Sequence, residues 1–132
     1  MSNQILAALR EATDDLLYMS ESDEPFELVD WPEARGEPHG EGLRKCAGYE
    51  QKDTVAELSL DDFFEQLTEE KKWHSEAERR DVHRYRKLKS VIENQLSSAK
   101  VFRIGETQVD IFIVGRTPEG HWAGVKTKAV ET

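Results

Sequence analysis

The chain has 132 residues, with 27 Asp and Glu against 18 Lys and Arg for a formal net charge of -9, and 37% of its residues are hydrophobic. That length carries one core of ordinary size rather than two, so a single domain over residues 1–132 is expected. The acidic balance argues against direct binding of nucleic acid, which asks for a broad positive field, and favours a cation or a basic protein surface as partner.

The elements follow in chain order. Ile5, Leu6, Leu9, Ala12, Leu16 and Leu17 recur at three- and four-residue spacing behind a capping Ser2 or Asn3, which predicts a first helix. Its Arg10, Glu11, Asp14 and Asp15 interrupt the apolar stretch that a secretory signal would need, and no run in the chain approaches the length of a membrane span. The stretch Ser20-Glu21-Ser22-Asp23-Glu24-Pro25 stops the helix, and Phe26 to Trp31 reads as a strand. From Pro32 to Lys52 the density of Gly and Pro denies a long regular element and predicts a loop. Cys46 within it stands alone, which rules out an intramolecular disulfide and fits a reducing compartment; a cytoplasmic location is expected.

Val55 to Leu58 predicts a short strand, and Ser59 with Asp62 opens a helix carrying Leu60, Phe63, Phe64 and Leu67. Ser75 with Glu78 is a second capping box. It opens the longest helix, striped by Val82, Tyr85, Leu88, Val91, Ile92 and Leu96. The stretches beginning at Lys100, Gln108 and His121 then supply the sheet. The middle one, with Val109, Ile111 and Ile113 interleaved with Phe112 and Val114, reads as buried on both faces, and Thr117-Pro118-Glu119-Gly120 reads as a tight turn between antiparallel neighbours. The order is that of an α+β fold.

Charge is uneven along the chain. Residues 1–66 hold 17 acidic and 5 basic side chains, residues 67–132 hold 10 and 13. The one candidate positive stripe, Arg79, Arg80, Arg84, Arg86, Lys87 and Lys89, reads as a solvated helix face paired locally with Glu76, Glu78 and Asp81. No phosphate-cradling glycine loop, paired-cysteine zinc spacing or nucleophile elbow is present, and His39, His74, His83 and His121 read as four unrelated surface or boundary histidines. An enzyme would show a histidine and a carboxylate within hydrogen-bond reach in a cleft.

The segments from Leu16 to Glu27, Asp61 to Phe64, Trp73 with its following helix, Val101 to Gly115 and Thr117 to Thr132 together give the chain its resemblance to the nuclease A inhibitor family. These are small protein inhibitors of a metal-dependent, sugar-non-specific endonuclease. The resemblance runs nearly the whole length and is interrupted mainly at Pro32 to Asp53. It implies a three-layer α-β-α sandwich with a largely antiparallel sheet, no catalysis, and a protein that plugs a nuclease active site. It also implies that Thr132 approaches the nuclease's metal, Mg²⁺ or a similar divalent ion, and that Glu21 engages basic catalytic-site residues. Hydroxyl and carboxylate oxygens suit a hard cation, and a carboxylate suits a bidentate arginine.

Asp23, Glu24, Glu76 and Glu131 would border that contact. Trp73 would either anchor it or pack as a staple at the helix start. The chain carries no cofactor of its own in this reading and is expected to be a monomer when free. Lys71 and Lys72 depart from the family pattern, in which an acidic residue precedes the tryptophan. The alternative is a non-enzymatic binding module of the same fold with another protein or small-ligand partner.

Overall fold

In the computed structural model, which describes residues 2–19, 22–50 and 53–130, all strand pairings are antiparallel. Helix α1 (Ser2–Thr13) leads into a small hairpin of β1 (Leu17–Met19) and β2 (Asp23–Pro25). There follow β3 (Glu27–Arg35), α2 (Gly40–Ala47), β4 (Val55–Ser59), α3 (Leu60–Phe64), α4 (Glu76–Gln95), β5 (Ser97–Ile104), β6 (Gln108–Arg116) and β7 (His121–Val130). The main sheet has the order β3-β7-β6-β5-β4.

Two cores flank that sheet. On one face Ile5, Leu9, Phe64, Leu88 and Ile92 from α1, α3 and α4 meet Val101, Ile111, Ile113 and Val125. On the other, Leu43 of α2 meets Val29, Phe102, Phe112, Val114 and Trp122. The fold is therefore the three-layer α-β-α sandwich, with β6 buried on both faces from Ile111 to Gly115 as its mixed apolar pattern predicts. The turn also stands as expected: Gly120 N–H donates to the Thr117 carbonyl at 2.9 Å, with Gly120 at a φ of 95°.

Three expectations need correction. The first helix ends at Thr13, four residues before Leu17. The Thr13 hydroxyl turns back to the Leu9 carbonyl at 2.8 Å and Asp15 takes a φ of 59°, so the chain reverses and Leu17 becomes strand.

Second, the described part of the predicted Pro32 to Lys52 loop, up to residue 50, carries regular structure: β3 runs on to Arg35, with a register shift between Trp31 and Arg35, and α2 follows. His39 caps α2 by accepting the Gly42 N–H on Nδ1 at 3.1 Å, and Gly48, at a φ of 81°, closes its C-terminus. Gly42 serves close packing. A Cβ there would sit 2.5 Å from Cη2 of Trp122, a buried ring whose Nε1 is tied to the Gly36 carbonyl at 2.8 Å. Gly42→Ala should therefore cost about 1–3 kcal/mol, outweighing alanine's helix propensity, and urea unfolding should show a lower midpoint at unchanged slope.

Third, the described partners of the basic side chains of α4 lie mostly on other elements. Arg84 donates to the Ala12 and Asp14 carbonyls, Arg86 to the Thr68 carbonyl at 3.0 Å, Lys89 meets Asp61 at 2.8 Å, and Lys87 lies 4.0 Å from Glu11. The positive second half thus joins the acidic first half across elements. Each exposed pair contributes little alone; the carbonyl bonds fix where α1 and the segment after α3 lie.

Candidate functional site

One end of the sandwich carries the hairpin candidates Asp23 and Glu24. β7 finishes at Val130, opposite Gln108 at the start of β6, and Ile104 at the end of β5 faces Asp110. Helix α4 passes into β5 through Leu96 alone, so its N-terminus returns toward the end of the sheet where β5 finishes. Helix and strand match in length, about 30 Å and 26 Å at their standard rises. The hairpin belongs to the end where β7 finishes.

The hairpin is braced from three sides. The Tyr85 hydroxyl of α4 donates to the Leu17 carbonyl. Tyr18 stacks on Phe63 at a centroid distance of 5.7 Å and meets Phe26 edge-on at 6.4 Å. From β7, the Thr127 hydroxyl donates to the Pro25 carbonyl at 3.0 Å. Met19 pairs with Asp23; Glu21 lies between them in sequence but outside the described residues, as do Glu131 and Thr132 beyond Val130. Asp23 is exposed, and half-buried Glu24 accepts the Ser22 hydroxyl at 3.3 Å. A cleft of about 380 Å³ joins Glu24 to Gln108, Asp110, Lys128 and Val130, so the acidic hairpin and the last described residue of β7 share one depression.

Tyr85 carries a pH signature. Burial pushes its phenol well above the ordinary 10.0, with Asp81, Tyr18 and Asp23 adding to the shift. The unfolded chain ionises first, so this contribution is complete below about pH 10 and is lost as pH rises through the folded value. Tyr85→Phe should cost about 1 kcal/mol at neutral pH. It should also flatten the alkaline loss of stability, as measured by urea unfolding at about pH 8 and about pH 10.5.

Trp73 is 76% exposed, the most exposed large hydrophobic side chain among the described residues, which disfavours the staple of the two alternatives. Lys71 holds its ammonium 5.3 Å from the indole centroid and 4.0 Å from Glu69, so its charge is engaged within the protein. Glu76 is exposed, and Glu78 completes the capping box with Ser75, whose N–H and hydroxyl hold its carboxyl below the usual range.

At the opposite end, the sequence reading missed a histidine–carboxylate pair. His121 Nε2 lies 2.9 Å from Asp30 and its Nδ1 3.2 Å from the Thr117 hydroxyl. Thr117 and His121 are 2% and 5% exposed, so no substrate reaches the hydroxyl, and the trio locks the β6–β7 turn. Residues 91 apart in sequence gave no signal for it. Cys46 is half-buried, with its thiol pushed up by burial and then by Glu33, which keeps it protonated and unreactive. Among the described residues no cluster of His, Cys, Asp and Glu is arranged to hold a metal, and no helix is long and apolar enough to cross a membrane.

The described residues thus offer an exposed tryptophan, a braced acidic hairpin and a histidine–carboxylate pair whose histidine is buried. The chain belongs to the nuclease A inhibitor-like protein family, whose model matches residues 3–132. Membership gives it a protein-interaction role of the inhibitor kind. No curated protein matches the chain.

Proposed function

We propose that this protein inhibits a metal-dependent, sugar-non-specific endonuclease by occupying its active site. Thr132 offers oxygen to the enzyme's divalent ion, Glu21 engages the basic residues that otherwise hold phosphate, Trp73 anchors the contact, and Asp23, Glu24, Glu76 and Glu131 border it. The observation that supports this reading is a cleft at one end of the sandwich, lined by Glu24 of the hairpin and Val130 of β7. An anionic tip so placed imitates the charge of a phosphodiester and offers no bond to cleave. In this reading the protein is a cytoplasmic, single-domain monomer when free, and any Mg²⁺ belongs to the nuclease.

The test is plasmid cleavage by such a nuclease at saturating Mg²⁺, titrated with the protein. Stoichiometric loss of cleavage that further Mg²⁺ does not restore is expected. Restoration by Mg²⁺ would reduce the effect to chelation, and full cleavage at large molar excess would overturn the reading for that enzyme.

A further inference from the structure

The turn that carries Trp73 closes on a single imidazole. The Lys71 N–H donates to His74 Nδ1 at 3.2 Å, and the His74 N–H donates back to the Lys71 carbonyl at 3.1 Å. Trp73 sits inside this reciprocal pair, with the imidazole edge-on to its indole at a centroid distance of 6.2 Å and an interplanar angle of 74°. A backbone N–H only donates, so Nδ1 must present its lone pair and the ring proton must sit on Nε2. Protonating Nδ1 sets one donor against another and abolishes the bond.

We propose that His74 is the positioning residue of the partner surface: its neutral imidazole holds the 71–74 turn that presents Trp73, and its protonation frees the turn and weakens partner binding. This rests on the reading that Trp73 anchors the nuclease contact. The charged groups around the ring come from both sides. Lys71 lies on the turn, and Glu78 of α4 is near enough for a charged His74 to favour its carboxylate form. The Glu70–Arg79 pair, at 3.6 Å, bridges the segment to the helix. Glu78 accepts the Ser75 N–H at 3.1 Å, so its carboxylate is committed to the cap. With the turn closed, Trp73 meets its partner already oriented; with it open, that ordering must occur on binding.

Two measurements test this. In the free protein, the Lys71 amide resonance should shift in step with the His74 ring resonances on acidification. In nuclease titrations at about pH 8, His74→Ala should weaken inhibition about three- to tenfold, whereas His74→Asn, whose amide oxygen accepts in place of Nδ1 and does not titrate, should restore it. On acidification the wild type should lose affinity relative to His74→Asn, a ratio that removes the nuclease's own pH dependence. Equal inhibition by wild type and His74→Ala, or a Lys71 amide that ignores the titrating ring, would overturn the proposal. If the wild type does not inhibit at all, the functional reading has failed, while the amide titration still decides whether His74 holds the turn.

Discussion

Replacing Trp73 with alanine should weaken nuclease inhibition about thirtyfold or more and leave the melting temperature of the free protein almost unchanged. The two halves of that expectation have separate grounds. A side chain 76% exposed, touching Lys71 and the edge of His74, contributes almost nothing to either core, so its loss opens no cavity. Large aromatics at the centre of protein contacts are the side chains whose truncation costs most, because an indole buries a wide apolar face at small cost in conformational entropy. Calorimetry paired with inhibition titrations on one preparation reads both quantities. Trp73→Phe should recover part of the loss by keeping a ring. An alanine variant that inhibits like the wild type would remove Trp73 from the contact and, with it, the role assigned to His74.

How far the sequence revealed this arrangement depended on whether the signal was local. Periodicity marked α4 and β6 because a stripe at helical spacing, or an apolar run without alternation, is written in adjacent residues. The capping box of Ser75 and Glu78 was legible for the same reason. Helix α2 was not, because Gly40, Gly42 and Gly48 are read locally as breakers while each serves the helix. Gly42 makes room for Trp122, 80 positions on, and Gly48 supplies the left-handed cap. The hairpin was hidden differently. Its acidic sequence stops α1 as expected, but its two short strands are held by Tyr85, Tyr18, Phe63 and Thr127, contacts that only the folded chain creates.

The candidate residues divide along the same line. Glu24 and the end of β7 share a cleft with Gln108, Asp110 and Lys128, three residues that nothing in the sequence connected to the hairpin. Trp73 stood out as a large aromatic beside a helix start, but its exposure, which separates an anchor from a staple, is a property of the fold. The basic stripe of α4, read in the sequence as a solvated face paired locally, sends Arg84 and Arg86 instead to carbonyls of α1 and of the segment after α3. The hairpin keeps Asp23 exposed, an acidic group of the kind that a basic protein surface attracts.

Deleting Thr132 should weaken inhibition about a hundredfold or more without lowering thermal stability. The buried residues of β7, from His121 to Ala129, all precede it, and the last described ladder pair is Gln108 with Val130, so the deletion removes no residue of either described core. Its functional cost arises in the enzyme. A hard divalent ion prefers oxygen, and a protein that fills the active site while withholding an oxygen donor leaves the ion's coordination incomplete in a space from which water has been displaced. Thr132→Val isolates the hydroxyl by keeping the branched shape, and it should reproduce most of the loss if the hydroxyl is the donor. Glu21→Gln should also weaken inhibition, by a different route: a carboxylate clamped by basic side chains loses its charge, and the effect appears in the dissociation rate. Because the two residues address different groups of the enzyme, the double variant should lose close to the sum of the two free energies. Undiminished inhibition after deletion of Thr132 would exclude the metal-directed contact, and a double variant no worse than Glu21→Gln alone would show that both residues act on one group.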